Sequence, residues 1–388
     1  MHGCRILAVA FCVVALGIET MGKTADLTLA KKRKKDEFYT QLVDIENELK
    51  HYKAHFKGKV VLCNCDDPRT SNFFKYFADN FEKLQLKRLI ATCYKSQDVD
   101  LFSQGDCERA ICQVYEGDKN GNMTVDDDEV CVRALKGDGD FRSEECIEIL
   151  KEADIVVTNP PFSLFREYVA QLVKYDKKFV IIGNLNEITC KEIFPLIMKN
   201  RIWLGASIHS GDREFGVPED YPLEAAGFRV DDKGRKFIRV KGVRWFTNLD
   251  FPARHEALPL YRHYDPLLDL KYDNVDAINV DKTCDIPMDY GGVMGVPVSF
   301  IDKYDPDQFD IVGISKTWFG FATKTYPAQI QYDRKGVRQR NLVTKLNDGA
   351  VLKLKEKPAG EIYYEVDGEI YRQTYPRILI RHRQQEKQ

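Results

Sequence analysis

The sequence predicts an α/β fold, a doubly wound and mostly parallel sheet followed by a smaller C-terminal β-rich domain. Short apolar runs alternate with helical patterns through the first two thirds of the 388 residues, a rhythm typical of parallel strands joined by helices. Beyond about residue 251 helical signals fade, and turn residues and short β-like runs take over. With 44% apolar and 30% charged residues, the composition is that of a globular protein with a sizeable core.

The organisation of the chain follows from these patterns and from one unusual terminus. An apolar run after Arg5 resembles a secretory leader, and it is shorter than the stretch that a transmembrane helix needs. Eleven cysteines at irregular spacing fit a reducing compartment instead, so we expect a cytoplasmic protein without a membrane segment. We divide the chain into a leader-like segment or mis-called start at 1–20, a basic segment at 21–57, the α/β core at 58–250 with an acidic insertion at 104–135, and the β-rich domain at 251–388.

Each element has its own signal. Apolar runs predict the strands of the core, at 59–65, 88–94, 153–158, 178–183 and 202–206. Apolar residues at helical spacing predict the helices before and between them, near 42–49, 71–84, 147–153, 164–175 and 192–200. We expect the acidic insertion to be irregular. In the C-terminal third, strands are predicted at 350–355, 362–366 and 370–374, and Asp367-Gly368 between the last two predicts a tight hairpin turn.

Three polar features fall at predicted strand ends or beside them. They are Asp66-Asp67-Pro68, Asp140-Phe141 and Asn159-Pro160-Pro161-Phe162. Ligands of open parallel sheets bind at the carboxyl ends of the strands, so these features are candidate binding residues. In the last of them, the Asn159 side chain and the Pro160 carbonyl offer two acceptors for one NH₂ group, and Phe162 offers a stacking face. This combination predicts a pocket for an exocyclic amine on a planar ring, such as an adenine turned out of a duplex.

Four motifs in order resemble the EcoRI-type family of adenine-specific DNA methyltransferases. Besides Asn-Pro-Pro-Phe they are KKDEFYTQ at 34–41, FKGKVVLCNCDDPRTSNFFKYF at 56–77 and KGDGDFRSEECIE at 136–148. The resemblance implies S-adenosylmethionine as cofactor, double-stranded DNA as substrate, and a cognate restriction endonuclease as partner. It implies catalytic roles for Asn159, Pro160, Pro161 and Phe162, and cofactor contacts by Phe38, Tyr39, Thr40, Asp66, Asp67, Pro68, Asp140 and Phe141.

The chain departs from the pattern of such enzymes in two places. The glycine-rich first motif is absent, since Arg69 to Phe73 follow Asp67-Pro68, and no acidic residue follows the second strand. The missing glycines fit one alternative, a non-catalytic calcium-binding interaction protein built on a decayed methyltransferase core. Some RNA and protein-glutamine methyltransferases also carry a motif like Asn-Pro-Pro-Phe, so methylation of RNA or of protein glutamine is another alternative.

The C-terminal third is basic although the whole chain carries a net charge of −2. From Ser315 to Gln388 there are 15 Lys and Arg residues against 8 Asp and Glu residues, which predicts contact with a polyanion. Within a target-recognition domain, a stretch opened by Trp318 and Phe319 supplies the candidate DNA-binding residues Lys324, Arg334, Lys335, Arg338 and Arg340.

The acidic insertion contains a second signal, a loop from Asp118 to Glu129 that resembles an EF-hand calcium loop. Its candidate metal-binding residues are Asp118, Asn120, Asn122, Thr124 and Glu129. The sixth position is Met123 where the sharp turn normally requires glycine, so an ordinary solvated acidic loop is the alternative to Ca²⁺ binding.

Overall fold

The computed structural model describes residues 39–94, 110–122, 124–217 and 227–383. The predicted leader and Phe38 lie outside these ranges. Within them, no helix combines the length and the apolar character needed to cross a membrane.

The α-helices of the described residues follow the predicted spacing closely. They are α1 Leu42–Leu49, α2 Asn72–Asp79, α3 Phe81–Leu84, α4 Glu144–Glu152, α5 Phe165–Lys174 and α6 Phe194–Met198. The single helix predicted at 71–84 is therefore divided in two. Its break lies at Asn80, whose backbone N–H and side-chain amide both bond to the Tyr76 carbonyl and so end α2.

Twenty strands occur in the described residues. In chain order they are β1 Val60–Asn64, β2 Arg88–Thr92, β3 Ile111–Tyr115, β4 Val130–Ala134, β5 Ile155–Thr158, β6 Lys178–Asn184, β7 Trp203–Leu204, β8 Asp212–Val217, β9 Arg229–Val230, β10 Lys236–Lys241, β11 Val243–Thr247, β12 Ile278–Asn279, β13 Met294–Pro297, β14 Phe309–Ile314, β15 Gln329–Tyr332, β16 Arg338–Val343, β17 Val351–Leu354, β18 Tyr363–Val366, β19 Glu369–Gln373 and β20 Arg377–His382.

One compact unit comprises the described chain up to Asn47, Lys53–Lys177 and Asp212–Lys241. Its strands lie in the order β4-β3-β2-β1-β5, and β1 pairs in parallel with both β2 and β5. Because β3 opposes β2 and β4 opposes β3, four of these five strands run in one direction. Every residue of β1 and β5 is buried, which explains their unbroken apolar runs. A separate antiparallel sheet has the order β8-β10-β9.

The expectation of an irregular acidic insertion is wrong, because β3 and β4 lie within it and pair antiparallel to each other. The acidic residues gather in the loop between them, whereas the strands themselves carry Ile, Val, Cys and Tyr. Strand β4 is an exposed edge, so it lacks the continuous apolar run that identifies a buried strand in a sequence.

The second compact unit comprises Glu48–Tyr52, Lys178–Gly211 and Gly242 onward. Strands β6 and β7 flank β11 antiparallel, β12-β13-β20-β14 form a four-stranded sheet, and β16-β15-β18-β19-β17 form a five-stranded sheet. Asp367 and Gly368 have φ of 49° and 82°, so the predicted tight turn between β18 and β19 is confirmed.

The chain is therefore a mixed α/β protein with a large, mostly parallel sheet and additional antiparallel sheets. The predicted α/β class is confirmed at this level. The doubly wound arrangement and the domain limits at 58–250 and 251–388 stay predictions.

Candidate active site

The loops after β1 and β5 meet at one edge of the first unit. Val61 pairs with Ile155 and Leu62 with Val156, so the two strands end side by side. The Thr158 hydroxyl donates to the Asn64 carbonyl, which joins the two strand ends. Two of the three polar features found in the sequence therefore lie at neighbouring strand ends.

The Asn-Pro-Pro-Phe segment connects β5 to α5. Asn159 and Pro160 are buried, whereas Pro161 and Phe162 are half-buried. Pro161 has φ of −54° and ψ of 126°, and its carbonyl accepts the Leu164 N–H at 2.9 Å at the start of a 3₁₀ turn. Since proline fixes φ and restricts the residue before it, this exit from the strand is stiff.

Helix α5 ties the neighbouring loops together through two residues that sequence reasoning missed. The Tyr168 hydroxyl donates to Asn64 Oδ1, and its ring packs edge-on against Phe141 at a centroid distance of 5.0 Å. One turn along the helix, Gln171 Nε2 donates to the Phe141 carbonyl at 2.8 Å. Helical spacing places Tyr168 and Gln171 on one face, but no local signal identifies partners about 30 or 100 residues away.

The Asp140-Phe141 loop also approaches the end of β2. A Cβ atom added to Gly139 would lie 2.1 Å from the Cys93 carbonyl oxygen, and Gly139 has φ of +80°. Beyond it, the Asp140 carboxylate accepts Arg142 Nε at 2.9 Å and Nη2 at 2.6 Å, and Phe141 is buried. Glycine at this position thus allows the loop to lie against the strand end.

The loop after β1 is built by Asp67 where a glycine-rich motif would be expected. The Asp67 carboxylate accepts Arg69 Nη2 at 2.7 Å and the Arg69 backbone N–H at 3.0 Å. Its carbonyl accepts the backbone N–H groups of Thr70 and Ser71, and Ser71 caps α2. An aspartate-centred turn therefore replaces the missing glycines. The predicted cofactor contacts of Asp66, Asp67 and Pro68 stay predictions.

Two thiols lie in and before this loop. Burial, reinforced by the nearby Asp66 carboxylate, raises the pKa of Cys63 and of Cys65 well above the ordinary range. Cys65 also has a φ of 87°, a left-handed conformation of the kind that clusters at functional sites. Because both thiols stay protonated at neutral pH, neither is an activated nucleophile.

The N-terminal motif lies next to α2. Tyr39 pairs with Gly216 in an isolated antiparallel β-bridge, and the Thr40 carbonyl accepts a hydrogen bond from Asn72 Nδ2 at 2.7 Å. Thr40 is only 2% exposed, and its hydroxyl oxygen has no hydrogen-bond partner in the described part of the chain. A buried hydroxyl of this kind is one that a bound ligand can satisfy.

The calcium-like loop lies between β3 and β4, and no helix flanks it in the described residues. Glu129 is buried and accepts the backbone N–H groups of Lys119 at 2.7 Å and Asn120 at 3.3 Å. The side-chain amides of Asn120 and Asn122 both donate to Asp126 at 2.7 Å. The loop is thus closed by its own hydrogen bonds, and Ca²⁺ binding stays a prediction.

Calcium binding predicts a rise in melting temperature when Ca²⁺ is added, because a ligand of the folded state stabilises it. Glu129→Gln removes the bidentate ligand and should abolish the rise, whereas Asp128→Asn, at an exposed position that does not bind the ion in such loops, should keep it. Differential scanning calorimetry measures both. A parent protein whose melting temperature ignores Ca²⁺ has an ordinary acidic loop.

Lys324 differs from the other predicted DNA-binding residues in its ion pairing. Its ammonium group pairs with Asp273 at 2.5 Å, whereas Arg334, Lys335, Arg338 and Arg340 are exposed on the β15–β16 hairpin. The aromatic residues before them serve another purpose. Trp318 and Phe319 pack edge-on against Phe194 of α6, and Trp318 Nε1 donates to the Thr189 carbonyl.

Comparison with known proteins agrees with the motifs. The family described as adenine-specific methyltransferase EcoRI matches residues 26–383. The Type II methyltransferase M.EcoRI of Escherichia coli is 54% identical over 289 residues, which cover 74% of this chain and 88% of that protein. M.MgeORF184P of Mycoplasma genitalium is 37% identical, over 73% of this chain and 84% of that protein. M.MpnI of Mycoplasma pneumoniae is 36% identical, over 73% and 83% respectively. No solved structure matches the chain.

The match spans nearly the whole described chain, including the strand-end loops and the C-terminal third. It favours DNA over the alternatives of RNA or protein glutamine, and enzymatic activity over a decayed core. The chain therefore belongs to the EcoRI family of adenine-specific methyltransferases and is a site-specific DNA adenine methyltransferase.

Proposed function

We propose that the Asn159–Phe162 loop holds the target adenine and that the neighbouring loops hold S-adenosylmethionine. The observation that carries this proposal is the placement of Asn159 and Pro160, both buried in a stiff turn at the carboxyl end of β5. That turn is joined to the loop after β1 through Thr158 and Asn64. The acceptors are thereby fixed before the base arrives, which is the requirement for electrostatic preorganisation.

The chemistry of the pocket follows from its acceptors. Asn159 Oδ1 and the Pro160 carbonyl accept the two protons of the adenine N6 amine and orient its nitrogen for attack. As N6 becomes more positive in the transition state, its protons bind these oxygens more tightly. S-adenosylmethionine, when bound, supplies an electrophilic methyl group. The protonated thiols of Cys63 and Cys65 argue against covalent attachment of the base to the chain through either cysteine.

The residues around the pocket fit the cofactor. Thr40 offers a buried hydroxyl that lacks a hydrogen-bond partner among the described residues, and Phe141 offers an aromatic surface held by Tyr168 and Gln171. Asp66 follows β1 at the same edge. We propose that these residues, with Tyr39 and Asp140, bind the cofactor, while Asp67 shapes the loop.

Transfer of a labelled methyl group tests the proposed function directly. Purified protein is incubated with radiolabelled S-adenosylmethionine and, separately, with duplex DNA, RNA and protein. We expect label in DNA alone, recovered as N6-methyladenine after digestion to nucleosides. Label in another base or another polymer would contradict the proposal.

Phe162→Ala removes the stacking face for the extruded adenine. Base–aromatic stacking is worth about 1–3 kcal/mol, so we expect the apparent affinity for the flipped base to fall about 5- to 150-fold. Duplex DNA with 2-aminopurine at the target position reports extrusion by its fluorescence. Phe162→Tyr keeps an aromatic face and should retain the signal; if Phe162→Ala retains it equally, the ring does not hold the base.

The exposed cations of the β15–β16 hairpin are the proposed DNA contacts. Arginine and lysine bind backbone phosphates, and arginine also reads base edges. Since the relatives are named Type II methyltransferases, we also propose that a cognate restriction endonuclease accompanies this enzyme.

A further inference from the structure

The basic hairpin, defined as β15, the turn 333–337 and β16, has a rigid tip. The Asp333 carboxylate accepts the backbone N–H groups of Lys335 and Val337, both at 2.9 Å. Gly336 has φ of +77°, and the Asp333 N–H closes the turn on the Val337 carbonyl at 3.0 Å. The turn is thus fixed by its own backbone and does not depend on a partner for its shape.

Strand β16 is an unusual edge strand. It lies at the end of the five-stranded sheet and, among the described strands, pairs only with β15. The five consecutive residues Arg338–Leu342 are all exposed, and Leu342 exposes 61% of its surface. Edge strands are normally short, covered or blunted, so an exposed ribbon of this length is available to a partner.

The charges of the basic hairpin are not neutralised within the described chain. Other arginines of the same unit pair with carboxylates, as Arg262 does with Asp269 and Arg377 with Asp281. For Arg334, Lys335, Arg338 and Arg340, no ion pair is formed with any described residue. Exposed cations without carboxylate partners are complementary to a polyanion.

Strand β16 is irregular where it carries the two arginines. Arg338 pairs with Tyr332 and Leu342 pairs with Ile330, but the register shifts between these two pairs, so Arg340 lies in the irregular stretch. A bulge of this kind interrupts the regular alternation of a strand and re-aims its side chains. Next to the turn, Tyr332 stacks on Tyr363 with a centroid distance of 4.6 Å and donates to Glu365 at 3.0 Å, which ties the tip end of the hairpin to β18.

We propose that the basic hairpin enters the major groove of the DNA substrate as a two-stranded ribbon, and that Arg338 and Arg340 each read a guanine. The major groove admits such a ribbon, and arginine binds guanine O6 and N7 through two parallel hydrogen bonds. Arg334 and Lys335 at the tip contact phosphates and fix the register. This inference rests on the proposed function only in requiring that the substrate is duplex DNA.

The test compares sequence discrimination with general affinity. The methylated motif of the parent is mapped first, and kcat/KM is then measured for this duplex and for duplexes with one base pair changed. Arg340→Ala should reduce discrimination at one guanine position about 5- to 150-fold, and Arg338→Ala should do so at a different position. Arg340→Lys keeps the positive charge but cannot form two parallel hydrogen bonds to one guanine. It should therefore lose the same discrimination as Arg340→Ala, whereas the salt dependence of binding should stay that of the parent.

Two further variants serve as controls. Lys335→Ala should weaken binding of all duplexes alike and lower the slope of log K against log salt by about 0.9. Gln339→Ala changes an exposed, uncharged residue between the two arginines and should leave both discrimination and slope unchanged. Melting temperatures establish that each variant is folded.

The outcomes separate this inference from the catalytic proposal. If Arg338→Ala and Arg340→Ala weaken every duplex equally and lower the salt slope, the arginines contact phosphates and the inference is overturned. Unchanged discrimination in both variants overturns it as well. By contrast, near-parent methyl transfer by Asn159→Ala contradicts the catalytic proposal, while the discrimination measured for Arg338→Ala and Arg340→Ala still reports base reading by the hairpin.

Discussion

Replacing Asn159 by alanine is expected to slow methyl transfer about 10²- to 10³-fold, because one of two acceptors for the N6 protons is lost. The loss falls on the transition state, where the amine carries more positive charge than in the bound substrate. Affinity for DNA and for S-adenosylmethionine should therefore survive. In kinetic terms, kcat and kcat/KM fall together while KM changes little.

Single-turnover methyl transfer at saturating DNA measures this effect, and calorimetry measures cofactor binding separately. Asn186→Ala is a suitable control, because Asn186 is an exposed asparagine after β6 whose hydrogen bonds in the described structure are made by its backbone. Near-parent turnover by Asn159→Ala would show that the amide does not act on the amine, and the assignment of the pocket would fail with it.

The parts of the site that could be predicted from sequence are those with local causes. Strands β1 and β5 are buried on both faces, so each appears as an unbroken apolar run. Asn159 to Phe162 follow such a run with two consecutive prolines, which forces a stiff turn at a place where ligands bind. These two signals together are sufficient to place the acceptors at the strand end from the sequence alone.

What sequence could not supply are contacts between distant residues and turns with unusual chemistry. Tyr168 donates a hydrogen bond to Asn64, which lies 104 residues earlier in the chain, and the sequence around neither residue predicts this contact. Asp67 shapes the loop after β1 through hydrogen bonds from Arg69, in place of a glycine-rich motif. The sequence shows that the glycines are missing but does not show what replaces them. Strands β3 and β4 were missed because the acidic loop between them dominates the composition of the segment.

A second large effect is expected at Gly139, which allows the Asp140-Phe141 loop to lie against the end of β2. Alanine there would place its Cβ 2.1 Å from the Cys93 carbonyl oxygen and 2.9 Å from the Ala110 Cβ. The first contact is with backbone, which cannot rotate away, and φ of +80° is unfavourable for alanine in any case. The left-handed backbone alone costs about 1–3 kcal/mol, and the clash adds to it.

Gly137→Ala is the matched control, since no atom lies within 4 Å of its added Cβ two residues earlier in the same loop. For a domain of this size each kcal/mol shifts the melting temperature by about 2–4 °C. We therefore expect Gly139→Ala to melt at least about 5 °C below Gly137→Ala. Because the displaced loop carries Phe141 away from Tyr168 and Gln171, S-adenosylmethionine should also bind more weakly to Gly139→Ala in calorimetry. Equal melting temperatures and equal cofactor affinities for the two variants would mean that the loop does not need this close approach, and that Phe141 is positioned by α5 alone.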